Sequence, residues 1–432
     1  MRLILNFFKN IYNHTGYLII FIFFISIFCS LIFLFFFKNV GPLEHGVPGG
    51  DYFSWYEPIA NNILQGKGIT LDGRVYPHLS PGFPIFLSGI FVLSHFTGIE
   101  KLDLIVVFNV ILVALACCFL FFIAKEVFNK KIALISSFLW MSYPFNLWFI
   151  KNPNTEVPFI PLLYAGILFY ILALKRKDLK SAFLAGITLG LASLVRPIGI
   201  FLPFFLSSLL IILLFLKVEF KKKTVFLAII LLTGSLLAIS PWVIYSYSKT
   251  GGFISFSTMA PEGVAYGTTV LVAPMEDESD RAVLPEDVRN LIERLKTENP
   301  QNLSGLSQFI AKELINEPTA LLKLIGLKLA RSWYATSQQW WEGKILAVQI
   351  FYLFSGLLGL LYVIKAGQEK KRDIIFLLSV IFYFWTMAFL NVSIMRYMVP
   401  VMGIVIIFSA ITVNIVIDGL VKKFKPYSPC QS

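Results

Sequence analysis

Residues 81–97, PGFPIFLSGIFVLSHFT, decide how this chain is threaded. The stretch is apolar but short, and it opens with two prolines in four residues, Pro81 and Pro84. A membrane-crossing helix needs roughly 20 mostly apolar residues, with a range of about 17–25. Ten other runs read as crossings: Tyr17–Phe37, Leu102–Ala124, Ile132–Ile150, Val157–Leu174, Ser181–Val195, Ile198–Leu216, Thr224–Tyr247, Ile345–Ile364, Ile374–Leu390 and Tyr397–Ile417. The fifth is short and ends at Arg196-Pro197. Loops dense in Lys and Arg stay on the cytoplasmic side. Here they are Lys125–Lys131, Lys175–Lys180, Lys217–Lys223 and Lys365–Arg372, joined by a tail with Lys422, Lys423 and Lys425. With Arg2 and Lys9 starting inside, ten crossings put all of them inside. An eleventh at 81–97 would flip every later loop to the wrong side. This run is therefore expected to be a re-entrant or interfacial helix on the outer face, where non-spanning backbone is tolerated if protein covers it or it lines a wet cavity.

Composition agrees with a membrane protein. Of 432 residues, 57% are hydrophobic and 14% charged, with a mean hydropathy of +0.76. Soluble domains carry about 25% charged residues, so a cytosolic globular enzyme and a disordered chain are both excluded. The net charge is +12. Sorted by the topology above, cytoplasmic segments hold 20 Lys/Arg and 6 Asp/Glu, and the remainder 17 and 19. The surplus is thus topological, and no nucleic-acid partner is expected. The cysteines, Cys29, Cys117, Cys118 and Cys430, lie in helices or at the tail and suggest neither an external disulfide nor a zinc quartet. Tyr17–Phe37 is too long for a signal peptide and lacks a small-residue cleavage site. The expected fold is all-α and polytopic: about ten transmembrane helices, a re-entrant or interfacial helix and a small external helical cap. The expected domains are a seven-helix module (1–247) with its first external loop at 38–80, a cap (248–344), and a three-helix module with a cytoplasmic tail (345–432).

Two external segments are substantial. The first loop carries GGDYFSWYEPIANNILQGKG at Gly49–Gly68, of which Tyr52–Leu64 can form an amphipathic interfacial helix. The second holds helical periodicity at Leu284–Lys296, Leu306–Asn316 and Thr319–Tyr334, with Pro285 and Pro318 at helix starts. It is too short for a separate enzyme domain with a large core.

Charges at membrane depth are costly, so they line polar cavities or pair with each other. Asp51, after Val-Pro-Gly-Gly, reads either as a helix N-cap or as a general base at the membrane surface. Glu57 reads better as a solvated face residue than as the base. Glu156, in NPNTEVP, reads as a helix-start charge favoured by the macrodipole or as a second carboxylate on the same face as Asp51. Arg196 in LVRPIG and Arg396 in MRYMVP either snorkel to headgroups or hold a phosphate, for which the guanidinium fork is suited. His78, with His45 and Glu44 nearby in sequence, leaves a divalent ion open, although the spacing matches no strong metal motif. Gly186 and Gly190 form a GxxxG that suggests close helix packing. Trp333, Trp340 and Trp341 read as an interfacial belt or as sugar-stacking rings. Gly-rich phosphate loops, a GxSxG elbow and an HExxH pair are absent from the sequence.

The ordered set is more specific than its parts. Asp51, Tyr56, Ala60 and Leu64-Gln65-Gly66-Lys67-Gly68 are followed by Tyr76-Pro77 and Pro81-Gly82-Phe83-Pro84. Next come Glu156, Leu194-Val195-Arg196-Pro197, Thr250-Gly251-Gly252 with Gly263 and Gly267, and Arg396-Tyr397-Met398-Val399-Pro400. This series resembles the GT-C superfamily of membrane glycosyltransferases. More narrowly it is similar to the polyprenyl-phosphate-dependent protein mannosyltransferases and the aminoarabinose transferases of lipid A. The resemblance implies inverting sugar transfer from a polyprenyl-phosphate donor to a lipid, glycan or protein acceptor, with the site facing outward from the cell membrane. It implies Asp51 as base, with Glu156 at the second acidic position. Arg196 and Arg396 are the expected donor-phosphate ligands, and Tyr56, Tyr76, His78 and Tyr397 the expected substrate contacts. No cofactor is expected to be required, with a divalent metal left open. Two departures point away from a protein acceptor: Asp51 is followed by Tyr52 where protein mannosyltransferases often have Glu, and the large loop is too short for their β-rich domain. A polytopic transporter or flippase is the alternative. It would show inverted repeats and charges at the midplane, whereas the charges here sit at helix ends.

Overall fold

The computed structural model describes residues 14–38, 51–75, 80–215, 223–251, 284–300, 303–336, 341–367, 371–390 and 392–424. Among these residues the regular structure is helical apart from one hairpin, β1 (Thr70–Leu71) antiparallel to β2 (Arg74–Val75). Eight helical stretches are long and apolar enough to cross a membrane. They are α1 (Thr15–Phe37), α4 (Lys101–Val127), α7 (Glu156–Arg176), α9 (Leu202–Phe215, extended by a 3-10 turn at Pro197–Gly199), α10 (Lys223–Thr250), α14 (Glu342–Lys365), α15 (Lys371–Leu390) and α16 (Val399–Phe424). The expected run Ile132–Ile150 is not one straight helix. It is α5 (Lys130–Met141) and α6 (Pro144–Trp148, ending in a 3-10 turn), bent by 48°. Pro144 is the cause: it has no N–H to donate, and its ring opposes continuation of the preceding helix. The fifth run is α8 (Leu179–Val195), which stops at Arg196 because the residue before Pro197 is pushed into extended backbone (φ −137°, ψ 121°).

The deciding stretch forms α3 (Gly82–Thr97), 16 residues long. At 1.5 Å per residue it reaches about 24 Å, short of a hydrocarbon core of about 30 Å. Before it, a π-helical turn at Tyr52–Tyr56 runs into α2 (Glu57–Leu64), which matches the expected amphipathic segment.

Helix α7 is the axis of the bundle, and 83% of its most apolar window is buried. It packs against α4 and α8, and α8 packs on α10. There Gly186 faces the Leu231 carbonyl and leaves no room for a Cβ, as the GxxxG motif led one to expect. Helix α16 packs on both α14 and α5, joining the C-terminal helices to the first module.

The ends of α7 are about 30 Å apart, with Glu156 at one and Lys175 at the other. At the Lys175 end, Lys175 lies 3.4 Å from Asp373 and 4.0 Å from Glu126, Arg372 lies 3.2 Å from Asp373, and Lys131 lies 2.5 Å from Asp418. Members of three basic segments, Lys131, Lys175 and Arg372, are therefore paired near this end of α7.

Helices α11 (Glu286–Glu298), α12 (Leu303–Asn316) and α13 (Pro318–Arg331) share a small core of their own, built from Val288, Leu291, Leu295, Phe309, Leu321 and Leu324. Pro285 and Pro318 sit at helix starts, as read from sequence. This unit is tied to the Glu156 end of the bundle. The Met395 amide donates to the Ala335 carbonyl (2.8 Å) and the Trp385 indole to the Leu329 carbonyl (3.0 Å).

Candidate active site

Glu156 is the first residue of α7 and is fully buried. The loop before it is fastened by two asparagines. Asn109 of α4 donates to the carbonyls of Ile150 (3.1 Å) and Asn152 (3.2 Å). Asn154 accepts from the Val157 amide (3.0 Å) and donates to the carbonyls of Phe149 and Asn152 (2.6 Å each). The helix start is thus satisfied by Asn154, which leaves the Glu156 carboxylate for other partners.

Those partners come from far along the chain. Arg396, in a 3-10 turn at Met395–Tyr397, donates from Nε to Glu156 Oε1 and from Nη2 to Oε2 (3.2 Å). Arg196 brings Nη1 onto Oε1 as an ion pair, without the angle of a hydrogen bond. Its guanidinium lies 5.2 Å from the centre of the Tyr397 ring. A buried carboxylate with no counter-charge is penalised by several kcal/mol, so pairing is obligatory here. One negative charge meets two positive ones, so the cluster keeps a net positive charge. The Arg196 side chain is 8% exposed and that of Arg396 is 34% exposed. An incoming anion therefore meets Arg396 first.

The first loop delivers a second group. Asp51 opens the helical segment with helical backbone, but its side chain makes no capping bond and is exposed. The N-cap reading is thus not what the structure contains. Tyr52 is buried, and Tyr56 packs edge-on against Phe83 of α3 (4.9 Å between ring centres). Burial pushes the Tyr56 phenol up to about 12. The Asp51 carboxylate adds to this, Arg196 and Arg396 oppose it, and Glu156 adds again. One phenol therefore feels all four charges, so Asp51 and the three-residue cluster share one neighbourhood. The seat is tight: a Cβ on Gly82 would lie 2.7 Å from the Leu194 carbonyl oxygen, two residues before Arg196. Only glycine lets the start of α3 press against the end of α8.

Of the residues singled out in the sequence, Glu156 pairs with both Arg196 and Arg396, Arg196 lies against the Tyr397 ring, and Tyr56 feels the charges of Glu156, Arg196, Arg396 and Asp51. Tyr76 and His78, with Glu44, His45 and Trp340, lie outside the described residues. Glu57 is not a solvated face residue: it is 3.4 Å from Lys101, which also donates to Asn61 (3.2 Å). Trp333 packs against Trp385 at 5.8 Å. Among the described residues, no group of three or more His, Cys, Asp or Glu side chains could hold a metal ion. Sequence reading missed the bracing residues Asn109 and Asn154. It also missed Tyr383, whose hydroxyl donates to the Ile198 carbonyl (2.7 Å) just beyond Arg196. An asparagine inside an otherwise apolar span was the available signal for Asn109.

Residues 80–245 match the family model of the dolichyl-phosphate-mannose-protein mannosyltransferases. No curated protein matches the sequence. Among solved structures, the archaeal oligosaccharyltransferase AglB from Archaeoglobus fulgidus, in complex with an inhibitory peptide and a dolichol-phosphate, aligns at TM-score 0.53 and 15% identity, over 97% of this chain and 53% of that one. Another structure of the Archaeoglobus fulgidus oligosaccharyltransferase gives TM-score 0.58 and 17% identity, over 92% and 49%. ArnT from Cupriavidus metallidurans, bound to undecaprenyl phosphate, gives TM-score 0.51 and 12% identity, over 93% and 60%. The chain spans between half and three-fifths of the length of these proteins. It has the GT-C membrane glycosyltransferase fold, and across residues 80–245 it is similar to the dolichyl-phosphate-mannose-protein mannosyltransferases.

Proposed function

We propose that the protein transfers a sugar from a polyprenyl-phosphate carrier to an acceptor on the outer face of the cell membrane, with inversion at the anomeric carbon. The observation that carries this reading is the doubly paired Glu156 near Asp51, whose side chain makes no capping bond and has no partner among the described residues. The similarity to mannosyltransferases, and the undecaprenyl phosphate and dolichol-phosphate held by two proteins of the same fold, support the class of donor.

The chemistry follows from the charges. The leaving phosphate meets Arg396 and then Arg196, which stabilise the charge that develops as the glycosidic bond breaks. Glu156 fixes both guanidinium groups in place, and its own charge leaves them a net attraction for an anion. The lipid tail lies among apolar helices. Asp51, exposed and uncommitted, takes the proton of the acceptor as its oxygen attacks from the opposite side. A positioned base contributes about 10²–10⁴-fold. One base and direct displacement invert the centre, whereas retention needs a second carboxylate acting as nucleophile. Tyr56 stays protonated at any physiological pH and can donate to a substrate oxygen. Lys131, Lys175 and Arg372 of the basic segments are paired near the far end of α7, and basic segments face the cytoplasm, so the site faces outward. The transporter reading expects charges at the midplane; among the described spans they lie at the ends.

The test is Asp51→Asn. Transfer from a polyprenyl-phosphate sugar should collapse, while expression, membrane insertion and melting temperature stay at wild-type levels. Unaltered glycan in membranes carrying that variant would sink the proposal.

A further inference from the structure

A second feature of the first loop lies outside this machinery. Between α2 and the β1–β2 hairpin is a cleft of about 670 Å³, lined by Pro58, Asn61, Asn62, Lys67, Thr70 and Asp72 among others. Its volume is within the range of about 300–1,000 Å³ usual for small-molecule sites. The walls are fixed. Asn62 Nδ2 donates to the Thr70 carbonyl (2.8 Å), tying the hairpin to the helix, and Lys101 holds Asn61 through its Oδ1 (3.2 Å). The Ile69 amide donates to the Tyr245 hydroxyl of α10 (3.1 Å). Among the described residues, several polar groups have no partner: the Asn61 amide nitrogen, the Asn62 carbonyl oxygen, the Lys67 ammonium and the Asp72 carboxylate.

That set has a definite chemistry. Two neutral amides contribute one donor group and one acceptor. Lys67 and Asp72 cancel in charge. Pro58 and Leu71 provide apolar surface. An anion would meet Asp72, and a cation would meet Lys67. A neutral ligand that presents many hydroxyls beside C–H faces satisfies every group. Asn61 is ten residues beyond Asp51 on one continuous helical segment, about 15 Å along its axis. A single sugar does not bridge that distance, but an oligosaccharide does.

We infer that this cleft binds the distal sugars of a neutral oligosaccharide acceptor whose reactive hydroxyl lies at Asp51. This deepens the proposed function and rests on it. The test uses full-length protein in membranes, the cell's own radiolabelled polyprenyl-phosphate sugars as donor, and envelope extract separated into neutral oligosaccharide, lipid and protein fractions as acceptors. Label should enter the oligosaccharide fraction. Asn61→Asp, which keeps the oxygen for Lys101 but removes the donor, and Lys67→Met should each raise the half-saturating acceptor concentration about tenfold, the loss of one or two hydrogen bonds. The maximal rate should be unchanged. Label found only in the lipid or protein fraction, or wild-type half-saturation in both variants, overturns the inference. If wild-type protein moves no label to any fraction, the parent reading fails instead.

Discussion

The two ends of α7 are fastened to their neighbours by different kinds of ion pair. At the Lys175 end, the Lys175 side chain is 27% exposed, its partner Glu126 is 29% exposed, and Arg372 is 25% exposed. At the other end Glu156 has no exposure, and it takes two arginines from segments 40 and 240 residues away in sequence. Asp373 at the Lys175 end is also buried, but its partners Lys175 and Arg372 both reach solvent, and pairs with a solvent-exposed member contribute about 0–1 kcal/mol each. A buried carboxylate with two guanidinium groups is a different object: weak evidence for stability as a whole, but strongly destabilising when one member is removed. The Glu156 end thus buries a carboxylate together with a guanidinium group, Arg196, whereas at the Lys175 end only Asp373 is buried and its cations reach solvent. One end fastens helices, and the other is where the proposed chemistry would take place.

The largest effect expected is at Asp51. Asp51→Asn should lower the transfer rate by about 10²–10⁴-fold with no change in melting temperature, read by a transfer assay and a thermal melt on the same sample. Next is Glu156→Gln, which leaves two guanidinium groups facing a neutral amide. It should reduce stability by about 3–5 kcal/mol, seen as a large drop in melting temperature in detergent, with transfer falling in parallel. Arg396→Lys keeps the charge but loses the two-point grip on Glu156. Lys and Arg are not interchangeable at such forked sites, so the half-saturating donor concentration should rise while Asp51-dependent chemistry persists. Smallest is Lys175→Met at the far end, which should change stability by about 1 kcal/mol or less and leave transfer untouched. A Lys175→Met variant as damaged as Glu156→Gln would erase the distinction between the two ends.

Much of the fold was legible because the bilayer enforces it. Each of the ten apolar runs is a helix or a bent pair, and the deciding stretch at 81–97 is a helix too short to cross unaided. The bend at Pro144 was not anticipated, although the proline announced it, because hydropathy averages over a break that costs no apolar residue. The individual members of the candidate site could be picked out for a related reason: a charge in an apolar chain is conspicuous. Their relations were not. Sequence reading treated Glu156 and the arginines as separate ligands for separate partners, because nothing local tells Arg396 that its neighbour is 240 residues earlier. The reading of Asp51 as a cap failed where the backbone is already helical at that residue. Likewise Glu57 looked free because Lys101 is distant in sequence, though adjacent in space.

The most direct test of the central claim is binding of undecaprenyl phosphate to purified protein in nanodiscs, measured by the shift in melting temperature for wild type, Arg396→Gln and Lys175→Met. The account predicts a clear stabilising shift for wild type, the same shift for Lys175→Met, and none for Arg396→Gln. An equal shift in all three, or a shift lost only in Lys175→Met, would contradict it.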